Sequence, residues 1–171
     1  MSQELITYII LGSHNRLKNL KTPVFDKSEE YIFANFKNKN EIVSKIDYLV
    51  TNASGRIIVL LPPSCIPDQR SKKALKKISM IDISTWGWFD VRSKENDIFS
   101  HFKKISTNIR SIPRLDQGIF FNKRLYFSVG GIGAFGAQPF KEISKRFYSR
   151  IDPQNPLPPL IIRTKNLELF K

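Results

Sequence analysis

The amino-acid sequence predicts an α/β domain with a largely parallel sheet and flanking helices. Three observations carry that prediction: strand-type apolar runs recur along the chain, segments with helical spacing lie between them, and glycine or proline stands at most junctions. A chain of 171 residues is long enough to bury one sizeable core, so one domain is the default. Its 41% hydrophobic and 25% charged residues are those of a globular protein and argue against disorder of the whole chain.

In chain order, "LITYIIL" at 5–11 is an apolar run that stops at Gly12, which reads as a first strand followed by a polar loop. A second short strand is expected at 31–36, "YIFANF". Over 40–53, Ile42, Val43, Ile46, Leu49 and Val50 recur on one face of a helix, which Asn52 to Gly55 end. "GRIIVLLPPS" at 55–64 is apolar without alternation and bounded by glycine and a double proline, the pattern of a strand buried on both faces. A short basic helix at 68–78, a strand at 82–91, and a helix at 95–110 with Ile98, Phe102, Ile105 and Ile109 on one face follow. "QGIFFNKRLYFSVGG" reads as a further strand split near Asn122 and Lys123, before a last helix over 138–149. Residues 1–150 make this domain. Residues 151–171 form a proline-rich arm: four prolines between 152 and 159 forbid a helix, and the strand-like "LIIRT" after them is expected to lay one more short strand on the domain.

Several function classes are disfavoured by composition. The longest apolar run, "IIVLL" at 57–61, is far short of the roughly 20 residues of a membrane span. The N-terminus carries an acid before its apolar run and no basic segment, unlike a signal peptide, so a cytoplasmic location is expected. Cys65 is the one cysteine, which rules out an internal disulfide and a cysteine-rich zinc site, and His14 and His101 lie too far apart in sequence to favour a histidine metal site.

Charge is the strongest compositional signal. Lys plus Arg number 28 against 15 Asp plus Glu, a net +13 at pH 7, so the surface should attract nucleic acid, acidic lipid headgroups or phosphorylated small molecules, with plain solubility as the simpler reading. The densest basic stretches, "RSKKALKK" at 70–77 and "KEISKRFYSR" at 141–150, lack the regular aromatic interleaving of a single-strand-binding platform.

Two stretches invite a site. In "STWGWFDVRSKEN" at 84–96, strand alternation puts Trp86, Trp88 and Asp90 on one face and Gly87, Phe89 and Val91 on the other, a grouping that suits a pocket wall. Packing is the default for such indoles and sugar stacking the alternative. A buried Asp90 needs a partner, and Arg92, Arg110 and Arg114 are the candidates. "GGIGAFG" at 130–136 follows an apolar run but lacks the Lys-Ser/Thr of a phosphate loop and the later acid of a dinucleotide fingerprint.

The run "WGWFDVR" (86–92), the stretch "IRSIPRLDQGIFFNKRLYFSVGG" (109–131) and "ISKRF" (143–147) resemble, in order and spacing, a small bacterial glycosyltransferase family. Its members are GT-A-fold, family 2-like enzymes of the radical-SAM/selenodomain-associated transferase type. Their typical text is W-G-x-F-D-V-R, then G-D-Q-x-I-F-x-x-R-x-x-F-x-x-x-G-G, then E-D-x-E-L-S-R-R. "NASGRIIVLLPPS" looks like that family's strand into its acidic metal-binding motif, and the likeness covers roughly residues 39–147.

The resemblance implies a reduced GT-A fold and transfer of a sugar from a nucleotide-diphosphate donor to an acceptor. It marks Asp116, Gln117 and Glu142 as catalytic candidates, Asp116 as a carboxylate oriented by Gln117 at a strand mouth, with a turn-capping Asp116 as the plain alternative. Trp86, Trp88, Asp90, Arg92, Arg114, Lys145 and Arg146 become substrate-binding candidates, and the glycine stretch an acceptor-side loop. Mg or Mn is implied too, but where the family has its acidic motif this chain has Pro62, Pro63, Ser64 and Cys65, and where the family has its Glu-Asp base it has Pro139 and Phe140. No metal ligand is therefore assigned.

Three readings follow. One is a working transferase in which Asp116 or Glu142 is the base and lysines or arginines replace the metal. Another is a non-catalytic descendant that binds a nucleotide-sugar or another phosphorylated molecule. The third is a basic module for nucleic acid or for the surface of an anionic membrane.

Overall fold

The structure, a computed structural model, describes residues 5–24, 26–91, 112–164 and 166–170. The helix expected over 95–110, and with it Arg92 and Arg110, lies outside the described residues.

The described residues form an α/β fold. Strands β1 (Ile6–Ile10), β2 (Glu29–Phe33), β3 (Ile57–Leu61), β5 (Trp86–Gly87) and β6 (Ile119–Asn122) make one sheet in the order β2-β1-β3-β6-β5. β4 (Cys65–Ile66) and β7 (Ile161–Ile162) form a separate antiparallel pair. β1 lies parallel to both β2 and β3, while β6 runs antiparallel to β3 and β5. The sheet is therefore mixed, parallel on one side and alternating on the other.

The helices sit where apolar spacing requires them. α1 (His14–Leu17) follows β1, and α2 (Ile42–Asn52) crosses from β2 to β3, burying Ile42, Ile46, Leu49 and Val50. α3 (Gln69–Met80) is capped by Asp68, whose Oδ1 accepts the Ser71 N–H at 2.7 Å. The second half of the split strand expected across 117–131 is instead α4 (Lys123–Ser128). The physical reason is local: the Asn122 side chain accepts the N–H groups of Arg124 and Leu125 at 2.8 and 3.4 Å and starts a helix there. That turn places Tyr126 in a stack on Phe121, ring centres 5.0 Å apart. α5 (Lys141–Tyr148) follows.

The unbroken apolar runs are explained by two covered faces. Ile9, Leu11, Ile58, Leu60 and Phe121 point to the side packed by α2, α4 and α5, and Ile6, Tyr8, Ile10, Ile57, Val59, Leu61 and Phe120 point to the side packed by α3 and the C-terminal arm. Among the described residues no helix is long and apolar enough to cross a membrane.

Candidate functional site

The C-terminal ends of β1, β2 and β3 open at one edge of the sheet, and β6, running the other way, begins at that same edge after the turn Arg114–Gly118. The chain leaves β1 toward β2 on one side and leaves β3 toward the other, so the crevice between their ends is the switch point at which open α/β sheets bind ligands. We call this edge the mouth.

The arm runs across it. Gln154 and Leu157 N–H groups donate to the carbonyls of Trp86 and Trp88 at 2.8 and 2.9 Å, and Asp90 N–H donates back to Leu157 at 2.7 Å. β7 then pairs with β4 just beyond β3, with Arg163 N–H on the Ser64 carbonyl at 3.0 Å. The Arg16 guanidinium holds the carbonyls of Asn166 and Glu168, Ser13 N–H donates to Leu169 at 2.7 Å, and Phe170 stacks on Phe36. Leu157, Leu160 and Leu169 are buried. The arm is thus a wall of the mouth.

Between arm, sheet and the loop after α1 lies a cavity of about 300 Å³. Ile10, Phe33, Cys65 and Ile66 make its apolar floor, while Asn19, Lys21, Ser64, Arg163 and Thr164 supply polar and cationic groups. Lys21 and Arg163 are exposed at its rim. Sequence reasoning did not single out these residues, because Lys21 and Arg163 are separated by most of the chain and meet only through the β4–β7 pairing.

Where the resemblance puts a metal motif, Ser64 turns with φ of 60° and Cys65 is buried at the start of β4. Burial first, and the nearby Asp116 carboxylate second, push the Cys65 thiol up to about 12. Two prolines and a protonated thiol do not fit a hard divalent cation, which takes oxygen ligands. Among the described residues no three His, Cys, Asp or Glu side chains converge as a metal site.

The raised thiol gives a test. A folded-state value above the ordinary 9.0 means that the folded form keeps its proton longer, so the stabilisation is whole below pH 9 and is lost as pH rises towards 12. Urea unfolding should show stability falling by up to about 1.4 kcal/mol per pH unit from this group across that window. Cys65→Ala should flatten that slope between pH 9 and 10, before the buried Tyr8 and Tyr126 hydroxyls, also raised, contribute. Equal slopes in the two proteins would contradict the burial of the thiol.

The sequence-selected residues fall into separate groups. Asp116 is gripped by Arg114: Nε reaches Oδ1 at 2.9 Å and Nη2 reaches Oδ2. Gln117, buried, spends its side-chain bonds elsewhere than on Asp116: its Oε1 accepts the Arg114 N–H at 3.0 Å and its Nε2 donates to the Phe89 carbonyl at 3.3 Å, tying this turn to the segment after β5. Asp90 is half-buried and its Oδ1 accepts the Val91 N–H at 2.8 Å. Arg114, one of the partners expected for Asp90, is committed to Asp116.

Trp86 and Trp88 do share a face, as alternation requires, but that face is core. Trp86 is 0% exposed, its ring packs on Trp88, Phe147 and Tyr148, and its Nε1 donates to the Ile151 carbonyl at 2.9 Å. No sugar face can reach it. Trp88 is also buried, although it backs a shallow hollow formed with Tyr148 and residues 152–156 of the arm.

Glu142 and Arg146 pair along α5 at 3.2 Å, away from the Asp116 turn in their contacts, and Lys145 is exposed beside them. Arg146 also donates to the carbonyls of Val129 and Gly130 at 3.3 Å. Packing accounts for two of the glycines of 130–136: Gly131 has φ of 84° and lies against the Asp47 carboxylate, where a Cβ would come within 2.7 Å of Oδ1, and a Cβ on Gly133 would come within 2.7 Å of the Glu142 side chain. Asp47 holds that loop through the Ile132 N–H at 3.1 Å and the Tyr126 hydroxyl.

Compared with known families and with curated proteins, the chain matches no family model and no curated sequence.

Proposed function

We propose that this chain is a glycosyltransferase-like protein that binds a nucleotide-diphosphate sugar, or a related phosphorylated small molecule, in the mouth cavity, with the protein's own cations in the place of a metal. One observation carries the reading: the cavity at the switch point joins an apolar floor, suited to a base or sugar face, to Lys21 and Arg163 at its rim, suited to phosphate. The resemblance of residues 86–92, 109–131 and 143–147 to motifs of the GT-A-fold transferases points to the same class of ligand.

Binding comes ahead of transfer in this reading. Both oxygens of Asp116 accept from Arg114, and Glu142 is paired with Arg146, so each candidate base is committed within its own element. Transfer requires Arg114 to release Asp116 when an acceptor hydroxyl arrives. A non-catalytic binder keeps both pairs closed.

Calorimetric titration with nucleoside diphosphates and their sugars, with and without Mg or Mn, tests the proposal. Binding should need no metal, and Lys21→Gln or Arg163→Gln should each weaken it about tenfold, as expected for loss of a charge-assisted contact. No binding by any donor, or affinities indifferent to both substitutions, would remove the assignment. Release of nucleoside diphosphate over time separates a transferase or hydrolase from a binder.

A further inference from the structure

We propose that the end of the sheet opposite the mouth docks on an anionic lipid bilayer. Four large apolar side chains are exposed there: Met80 at 61%, Ile81 at 54%, Ile83 at 50% and Phe127 at 49%. They come from two elements, the end of α3 with the turn after it, and the outer side of α4. The Arg124 guanidinium joins the two by gripping Asp82 at 3.0 and 3.1 Å, and Asp82 and Phe127 line one shallow groove with Arg56 and Lys123. The position at this end follows from topology. Arg56 precedes β3, Lys123 follows the reversed β6, and the Lys123 N–H donates to the Arg56 carbonyl at 2.8 Å.

Cations surround the apolar group. Lys77 is exposed one turn before Met80 and Ile81, with Lys73 one turn earlier on the same helical face. Arg124 is 70% exposed at its side chain, Lys123 lies over the Phe127 ring at 6.0 Å, and Arg150 reaches the Ser128 carbonyl from α5's end. The carboxylates bordering this surface are held: Asp82 by Arg124, and Glu30, behind the groove, by the N–H and hydroxyl of Ser54.

An apolar tip ringed by lysine and arginine matches the bilayer interface, where methionine, isoleucine and phenylalanine enter the acyl boundary and cations meet lipid phosphates. A polynucleotide offers phosphates but nothing to bury an isoleucine turn. A second copy of this chain, meeting by a two-fold axis, would set the same cations against one another. The mouth would face away from the bilayer, so ligand entry and lipid contact are independent events.

Flotation of the full chain with vesicles tests this, comparing phosphatidylcholine alone with phosphatidylcholine carrying about one third phosphatidylglycerol. The protein should float with the anionic vesicles only, and less as salt rises. Ile81→Gln combined with Ile83→Gln should lower vesicle affinity about tenfold, and Lys77→Gln about fivefold. These positions are exposed, so the melting temperature should not move. Phe127→Gln, on the other element, should have the same direction of effect and keeps the test independent of the 80–83 turn. Flotation unchanged by the apolar substitutions, absence of flotation, or polynucleotide binding that these substitutions weaken while vesicles are ignored would overturn the proposal. Addition of a nucleoside diphosphate should leave flotation unchanged whether or not the mouth binds it.

Discussion

Replacement of Lys72 by alanine will destabilise the protein by about 3–5 kcal/mol, the cost of stranding a buried charge. Lys72 lies on the inner face of α3 with its Nζ 3.2 Å from Glu29 Oε2, and the side chains are only 11% and 3% exposed. The ammonium also sits over the rings of Tyr8 and Tyr31, at 5.9 and 5.7 Å from their centres, and those rings stack on each other. Burial alone would lower the lysine's affinity for its proton, but Tyr31 and Glu29 together raise it, so the lysine is charged at neutral pH. Without the lysine, the buried Glu29 side chain loses its ion-pair partner. The double change Lys72→Met with Glu29→Gln should recover most of the loss, because it removes both charges. Urea unfolding of the three variants decides the matter, and a loss under about 1 kcal/mol for Lys72→Ala would show that Glu29 reaches solvent.

Trp86→Ala should cost a further 3–5 kcal/mol, roughly the loss for emptying the space of a buried indole. Its ring centre stands 5.7, 5.3 and 4.8 Å from those of Trp88, Phe147 and Tyr148, so the cavity would open where β5, α5 and the start of the arm meet. The Ile151 carbonyl would also lose the indole N–H. Trp86→Phe should cost less, about 1–2 kcal/mol, much of it that lost hydrogen bond. This substitution separates the two readings of the aromatic strand. A core tryptophan gives a stability loss with ligand affinity kept in Trp86→Phe, whereas a sugar-stacking tryptophan gives the reverse.

The helices and strands are set by local patterns, and those patterns are readable. The spacing of Ile42, Ile46, Leu49 and Val50 marks α2, and the apolar run 57–61 marks β3, because burial of one face or of two leaves a periodic trace in neighbouring residues. One further signal was legible but easily passed over. Lys72 stands at helical spacing from Leu75 and Ser79, on the buried face, where a lysine needs a partner. Asn122 is the counterexample among local signals: its capping of α4 competes with the strand character of "RLYFS", and only the docking of Tyr126 on Phe121 shows which wins.

By itself, then, the sequence determined an α/β chain with two-sided core strands, a basic surface, and an arm that cannot be helical. The tertiary structure decided the rest: that β6 runs against β3, that the arm crosses the mouth and brings Arg163 towards Lys21, and that Trp86 is core while Met80, Ile81, Ile83 and Phe127 meet solvent. The physical reason is range. Periodicity and capping act over a few residues, whereas strand direction, ion-pair partners and the choice between core and surface depend on contacts between segments far apart in sequence, as in the pairing of Ile57 with Asn122, of Cys65 with Ile162 and of Lys72 with Glu29.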